Sequence, residues 1–149
     1  MSSNNLRDKV ERWLIHESHV FEFIKKPENA FHVLVQHAGE TGVPVEIFEP
    51  KNQPGVIVVG SKVVMKNTQI ARFLRFNPEE KKRFEQKISE YCYSIQAIFK
   101  MIEEDGKQKI GVYVVLDKAD EINQQTLFDA IKRVSNMNEK TNKFLLKTF

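Results

Sequence analysis

One cysteine, Cys92, is the only thiol in the 149 residues, so no disulfide can form within the chain and nothing in the fold depends on an oxidising compartment. Long hydrophobic runs are missing too. The longest uncharged apolar stretches hold about five to seven residues, against the roughly 20 that span a bilayer, and the opening MSSNNLRDKVERW lacks the apolar core of a signal peptide. The expectation is a soluble, cytoplasmic chain with no membrane partner. Charge of one sign is not in strong excess: 23 basic against 20 acidic residues leave +3, which favours solubility without requiring a polyanionic partner.

Signatures of catalysis are equally scarce. No Gly-rich loop ends in Lys and Ser or Thr, as a phosphate-cradling loop requires, and Ser61 and Ser94 lack the Gly-x-Ser-x-Gly setting of a nucleophile elbow. Cys92 shares an apolar stripe with Ile88 and Tyr91, the setting of a buried structural thiol and not of a nucleophile. Neighbouring carboxylates, Glu79 with Glu80 and Glu103 with Glu104 and Asp105, fall at a helix start and in a hairpin, where solvation accounts for them. His16 and His19 are three apart, but His19 falls past the helix end. His32 and His37 differ by an odd number and point to opposite faces of a strand, so solvated strand histidines explain them. The chain is therefore expected to be no enzyme and to hold no metal and no organic cofactor.

What the sequence does contain is enough apolar side chains for one core: 41% hydrophobic residues, eleven Phe among them. At this length a domain removes roughly two thirds of its unfolded surface from water, and a single domain over 1–149 is expected, with 1–4 and 138–149 flexible or partner-bound. Leu6, Val10, Trp13 and Leu14 repeat at helical spacing and predict a helix over about 5–17. The period then changes to two: Val20 to Ile24, FHVLVQH, and Val43, Val45, Ile47 read as strands joined by the turns KKPEN and AGETG. Val56 to Val59 form a β-branched run suited to a strand that is central or covered on both faces. Gly60 and Ser61 interrupt it, so KVVMK reads as a bulged continuation or a second strand, and the interruption as an edge or bend.

Asn67 or Thr68 caps a short helix with Ile70, Phe73 and Leu74 on its apolar face. Asn77, Pro78, Glu79 and Glu80 start another, whose buried stripe is Phe84, Ile88, Tyr91 and Cys92. Tyr93, Ile95, Ala97, Phe99 and Met101 alternate, so 93–102 reads as a strand turning at EEDGKQK into IGVYVVL, which pairs 93–102 with 110–116. A last helix carries Leu127, Phe128, Ile131 and Val134. The fold class is α+β: a mostly antiparallel sheet of about five to six strands with helices on one face, in the order helix, strands, one or two helices, hairpin, helix. Its expected core includes Trp13, Val33, Val35, Val58, Phe84, Ile88, Val114 and Ile131.

Two surfaces are candidates for binding. From Lys62 to Lys87 there are eight basic residues against three acidic ones. Of these, Lys62, Lys66, Arg72, Arg75, Lys81, Lys82 and Arg83 could hold phosphates, with Phe73 or Phe76 to stack bases, although a solvated helix face explains the same charges. The end of the chain, with Phe144, Leu145, Leu146 and Phe149, carries more apolar surface than a free tail. It either folds onto its own domain or joins a partner, and a homodimer or an extended protein segment added to a sheet edge would meet that need. The leading expectation is a non-catalytic, chaperone-like protein-interaction module, dimeric, with nucleic-acid binding as the alternative.

The segment VERWLIHE with Trp13, Leu14 and Glu17, the strand run, NPEEKKRFEQKI from Pro78 to Phe84, and the closing hairpin and helix together resemble a family of uncharacterised archaeal proteins over about 6–137. The architecture also resembles the type III secretion chaperones, small α+β proteins that dimerise and wrap an extended partner segment. Those chaperones are commonly acidic and this chain is mildly basic, and a likeness of fold does not fix function.

Overall fold

The computed structural model of the chain describes residues 2–38, 43–94 and 97–149. In chain order the elements are α1 (Ser2–His16), β1 (Val20–Phe23), β2 (Asn29–Ala38), β3 (Val43–Pro50), β4 (Ile57–Val64), α2 (Asn67–Leu74), α3 (Pro78–Ser94), β5 (Ile98–Glu104), β6 (Lys107–Leu116) and α4 (Gln124–Thr148), with a short 3-10 turn at Ala119–Glu121. The strands form one sheet in the order β1-β2-β3-β4-β6-β5, each pair antiparallel.

Register explains why the helices gather on one side. Phe23, Val33, Ile47, Val59 and Val114 fall in a single row across five strands, and the pleat sends a row to one face. Val63 with Ile110 and Ser61 with Val112 continue that face. Its apolar members share one cluster with Val10 and Leu14 of α1, Phe84 and Ile88 of α3, and Leu127, Ile131 and Val134 of α4. Each such side chain, fully buried, is worth about 1.5–3 kcal/mol before entropy costs. The other face of the sheet receives no helix among the described residues.

Local chemistry sets the element ends. Asn77 Oδ1 accepts from the Glu80 amide at 2.8 Å while Glu80 Oε1 accepts from the Asn77 amide at 3.1 Å, a reciprocal cap for α3. Asn123 and Thr126 do the same for α4. Asp105 and Gly106 take positive φ of 55° and 75°, the two-residue turn whose twist matches the strands it joins.

Several expectations need correction. The first helix runs from Ser2 to His16, so residues 2–4 lie within it. β4 passes through Gly60 and Ser61 without a break, paired with β6 along its full length and with β3 from Val58 to Gly60. It is a central strand, neither an edge nor a bend. α3 keeps its helical stripe through Ser94, so Tyr93 belongs to the helix and stands exposed, and the strand opens only at Ile98. Ile95 and Gln96 lie outside the described residues, as do 39–42 of the AGETG turn. The hairpin pairing itself is present, with Phe99 opposite Val112. Leu74 is exposed, since α2 turns only Ile70 and Phe73 toward the core. Trp13 is half-buried against the core, and Val58 is buried as expected, on the sheet face without helices.

The C-terminal segment is the last correction. Residues 138–148 continue α4, and Asn138, Thr141 and Leu145 are buried. Phe84 gathers Phe73, Phe76, Phe144 and Phe149 around it at centroid distances of 5.2 to 6.4 Å, and Arg72 donates to the Phe149 carbonyl oxygen. The tail has folded onto its own domain.

Candidate binding face

The uncovered face of the sheet is built from the alternate positions that the core does not use. One row runs Leu34, Glu46, Gly60, Tyr113 and Ile98 from β2 to β5, and flanking rows carry His32, Phe48, Val58 and Val115, and Lys62, Gly111 and Lys100. Ile98, Val64 and Val115 are 60%, 47% and 42% exposed there.

Across this face runs a chain of polar contacts. Asn29 Nδ2 lies 3.0 Å from His32 Nδ1, and His32 Nε2 lies 3.1 Å from Glu46 Oε1. Lys62 Nζ then bridges Glu46 at 3.4 Å and Glu104 at 3.0 Å, and Lys109 Nζ reaches the other oxygen of Glu104 at 2.9 Å. His32 is buried and stacks on Phe48 with ring centroids 5.1 Å apart and planes within 5°. This overturns its reading as a solvated histidine: a neighbouring aromatic face and two polar partners compensate its removal from water.

The charges of the chain hold one another. Burial alone would raise the Glu46 carboxyl, but the His32 hydrogen bond and the Lys62 charge outweigh it and keep it below its ordinary value. Burial would likewise lower the Lys62 ammonium, yet its hydrogen bond to Glu104 and the Glu46 charge hold it above. Hydrogen bonds from Lys109 and Lys62 bring the Glu104 carboxyl down to about 2. Tyr113 lies beside them, its phenol raised by burial, with Lys62 acting in the opposite direction. The arrangement is one of satisfied ion pairs next to exposed apolar side chains, suited to docking and without a free nucleophile at its centre.

The positions singled out in the sequence are distributed otherwise. Lys62 belongs to the uncovered face, whereas α2 and α3, which carry Arg72, Lys81, Lys82 and Arg83 with Arg75 capping the end of α2, lie across the sheet. Lys66 is the residue before α2. The nucleic-acid set is thus split between two faces, and Phe73 and Phe76 are occupied with Phe84 and unavailable to stack bases. Lys81 sits over the Phe73 ring at 5.6 Å. Of the tail set, Phe144, Leu145 and Phe149 pack internally, and only Leu146 is exposed. Cys92 is buried, its thiol pushed up to about 11 by that burial. His16 meets Gln124, and His19 stacks on Phe128. Among the described residues no three His, Cys, Asp or Glu side chains gather as a metal site would require, and no helix is long and apolar enough to cross a membrane.

Sequence reasoning missed Glu46, Lys109 and Tyr113 altogether, and placed Glu104 only in a solvated turn. The signal available was the second phase of the strand alternation, which sets 32, 46, 60 and 62 apart from the core positions. That signal does not say that β4 lies beside β6, and this pairing is what brings Lys62 to Glu104.

The family model of an uncharacterized conserved protein, DUF2299, matches residues 6–145, and the chain belongs to that family. No curated protein matches it. Among solved structures, an uncharacterized protein from the archaeon Methanothermobacter thermautotrophicus is similar, with a TM-score of 0.76 at 14% identity over 96% of this chain and 98% of that one. YbjN from E. coli, a proposed transcription regulator, is similar with a TM-score of 0.61 at 12% identity over 92% of this chain and 91% of its own. At such identities the likeness is one of fold.

Proposed function

We propose that the chain is a non-catalytic, cytoplasmic protein-interaction module of chaperone-like kind that works as a homodimer, its two copies joined along β5 and its uncovered sheet face left to an extended segment of a partner protein. The observation that carries this reading is the unequal guarding of the two sheet edges. β1 is only four residues long, which blunts it. β5 has seven residues, Ile98, Phe99, Met101 and Ile102 among them, and no described residue pairs with its outer side.

β5 also complements itself. A two-fold antiparallel pairing centred on Ile102 sets Lys100 opposite Glu104 of the second copy, twice over, with Ile102 against Ile102. Centring on Lys100 or Glu103 would oppose like charges, which is destabilising. Membership of a fold shared with a proposed regulator is compatible with a binding role and adds no reaction.

Light scattering at micromolar concentration is the test. The native chain is expected to be a dimer and Lys100→Glu a folded monomer that melts somewhat lower, having lost the association that stabilises the folded state. Ile102→Cys should cross-link copy to copy under mild oxidant, since directly opposed cysteines on paired strands lie within disulfide reach and Cys92 is buried. A monomeric native chain overturns the reading. A dimer indifferent to Lys100→Glu, with no cross-link at position 102, keeps the dimer and removes the edge.

A further inference from the structure

Where β1 gives out after Phe23, β2 remains paired only with β3, and the loop between β1 and β2 borders a cleft of about 390 Å³. Its lining includes Arg7, Lys25, Lys26 and Lys51, over apolar walls that include Phe23 and Phe31, and no carboxylate lines it. Among the described residues Lys25, Lys26 and Lys51 make no ion pair, and Arg7 makes only a loose, exposed one to Asp8 at 3.9 Å. The half-buried cations of the uncovered sheet face differ, since Lys62 and Lys109 are both paired with carboxylates. Here four cations line one cleft, three of them without a carboxylate partner among the described residues.

The cleft is also held in shape before any ligand arrives. The Ile24 amide donates to the His32 carbonyl at 2.8 Å, the Asn29 amide to Lys26 at 3.1 Å, and the Lys51 amide to Glu28 at 3.0 Å, so both ends of the loop and the start of the next turn are fixed. The Arg7 guanidinium rests 4.0 Å from the centre of the Phe23 ring, which fixes its plane. Of the four cations Arg7 is the one held by a ring contact, and a cation held in this way loses less freedom when it binds an anion. The volume falls within the range of small-molecule sites, roughly 300–1,000 Å³.

We infer that this cleft is a binding site for a small molecule bearing a phosphate or diphosphate group. The Arg7 fork can take two oxygens of one phosphate, and the three ammonium groups supply point charges around a second. The apolar walls exclude water from one side and strengthen each of these contacts. This site lies at the opposite edge of the sheet from β5, so it stands or falls independently of the dimer.

The test is calorimetric titration of the full chain with inorganic pyrophosphate, beside citrate as a carboxylate of comparable charge. Pyrophosphate is expected to bind at one site per chain, more tightly than citrate and more weakly as salt rises. Lys26→Glu and Lys51→Glu should each weaken it by at least about tenfold, as loss of a charge-assisted hydrogen bond implies, while Lys132→Glu on the exposed side of α4 leaves it unchanged. If a reversal lowers the melting point, Lys26→Gln and Lys51→Gln read the same loss in smaller measure. Equal affinity for citrate overturns the assignment to phosphate. Absence of binding at low salt, or equal weakening by Lys132→Glu, overturns the site.

Discussion

The ring of Tyr113 lies across Gly60, its partner on the neighbouring strand: a Cβ built on Gly60 would stand 2.3 Å from Tyr113 Cδ1. The same ring reaches over Gly111, where a Cβ would meet the hydroxyl oxygen at 2.5 Å. Two glycines in adjacent strands make a trough in the uncovered face, and the aromatic ring fills it, replacing the side-chain packing that glycine lacks. Gly60→Ala must lift the ring, at a cost of about 1–3 kcal/mol as for other overpacked sites. In a Tyr113→Ala background the same substitution should cost far less. Urea unfolding of the four chains of this double-mutant cycle reads the coupling; independence of the two changes would mean that the ring does not occupy the trough.

Acid should weaken the fold through Glu104. Its carboxyl stands at about 2 in the folded chain against an ordinary 4.5, so its contribution is complete above pH 4.5 and is lost as pH falls from there through 2. Glu46, also held low, acts in the same direction. The Glu104 side chain is 37% exposed, and solvent screening reduces the effect to on the order of 1 kcal/mol. Glu104→Gln is expected to flatten the stability curve over that window. An undiminished acid slope in this variant would place the sensitivity elsewhere.

Glu49 faces the core side of β3 and is fully buried, its Oε2 accepting from the Gly55 amide at 2.8 Å. That bond closes the turn after β3, where Gly55 holds a φ of +86°. Its Oε1 has no hydrogen-bond partner among the described residues. Glu49→Ala strands the Gly55 amide and should cost about 1–3 kcal/mol. Glu49→Gln keeps an acceptor for that amide, so it should cost less than the alanine. Thermal melts of the two variants decide it, and an alanine variant as stable as the native chain would show that the turn closes without this bond.

The order of elements was legible because local rules carry it. Asn77 with Pro78 announced α3, and the period-two runs in 31–35 and 43–47 announced strands. The Asp105-Gly106 turn marked the last hairpin. Gly60 misled because a glycine in a strand signals a break unless its partner is known, and its partner, Tyr113, is 53 residues away. The alternation at Tyr93 misled because it reads as a strand, while the helix that absorbs Tyr93 is fixed by the burial of Ile88 and Cys92 against the sheet. The His32 to Lys109 chain of contacts draws on five strands, so its members acquire meaning only once the strand order is fixed.

Leu145 and Leu146 are adjacent in sequence and should behave as opposites. Leu145 is 1% exposed inside the core, whereas Leu146 is 62% exposed. Leu145→Ala should cost about 2–5 kcal/mol, the range for a buried leucine that leaves a cavity, and deletion after Met137 should unfold the chain, because it removes Thr141, Leu145 and the phenylalanines that pack on Phe84. Leu146→Ala should change stability by no more than about 0.5 kcal/mol and leave the oligomeric state untouched. Denaturant midpoints and light scattering on the three chains separate a tail that builds its own domain from one that joins a second copy. Dissociation caused by Leu146→Ala alone would return the interface to the tail and take it from β5.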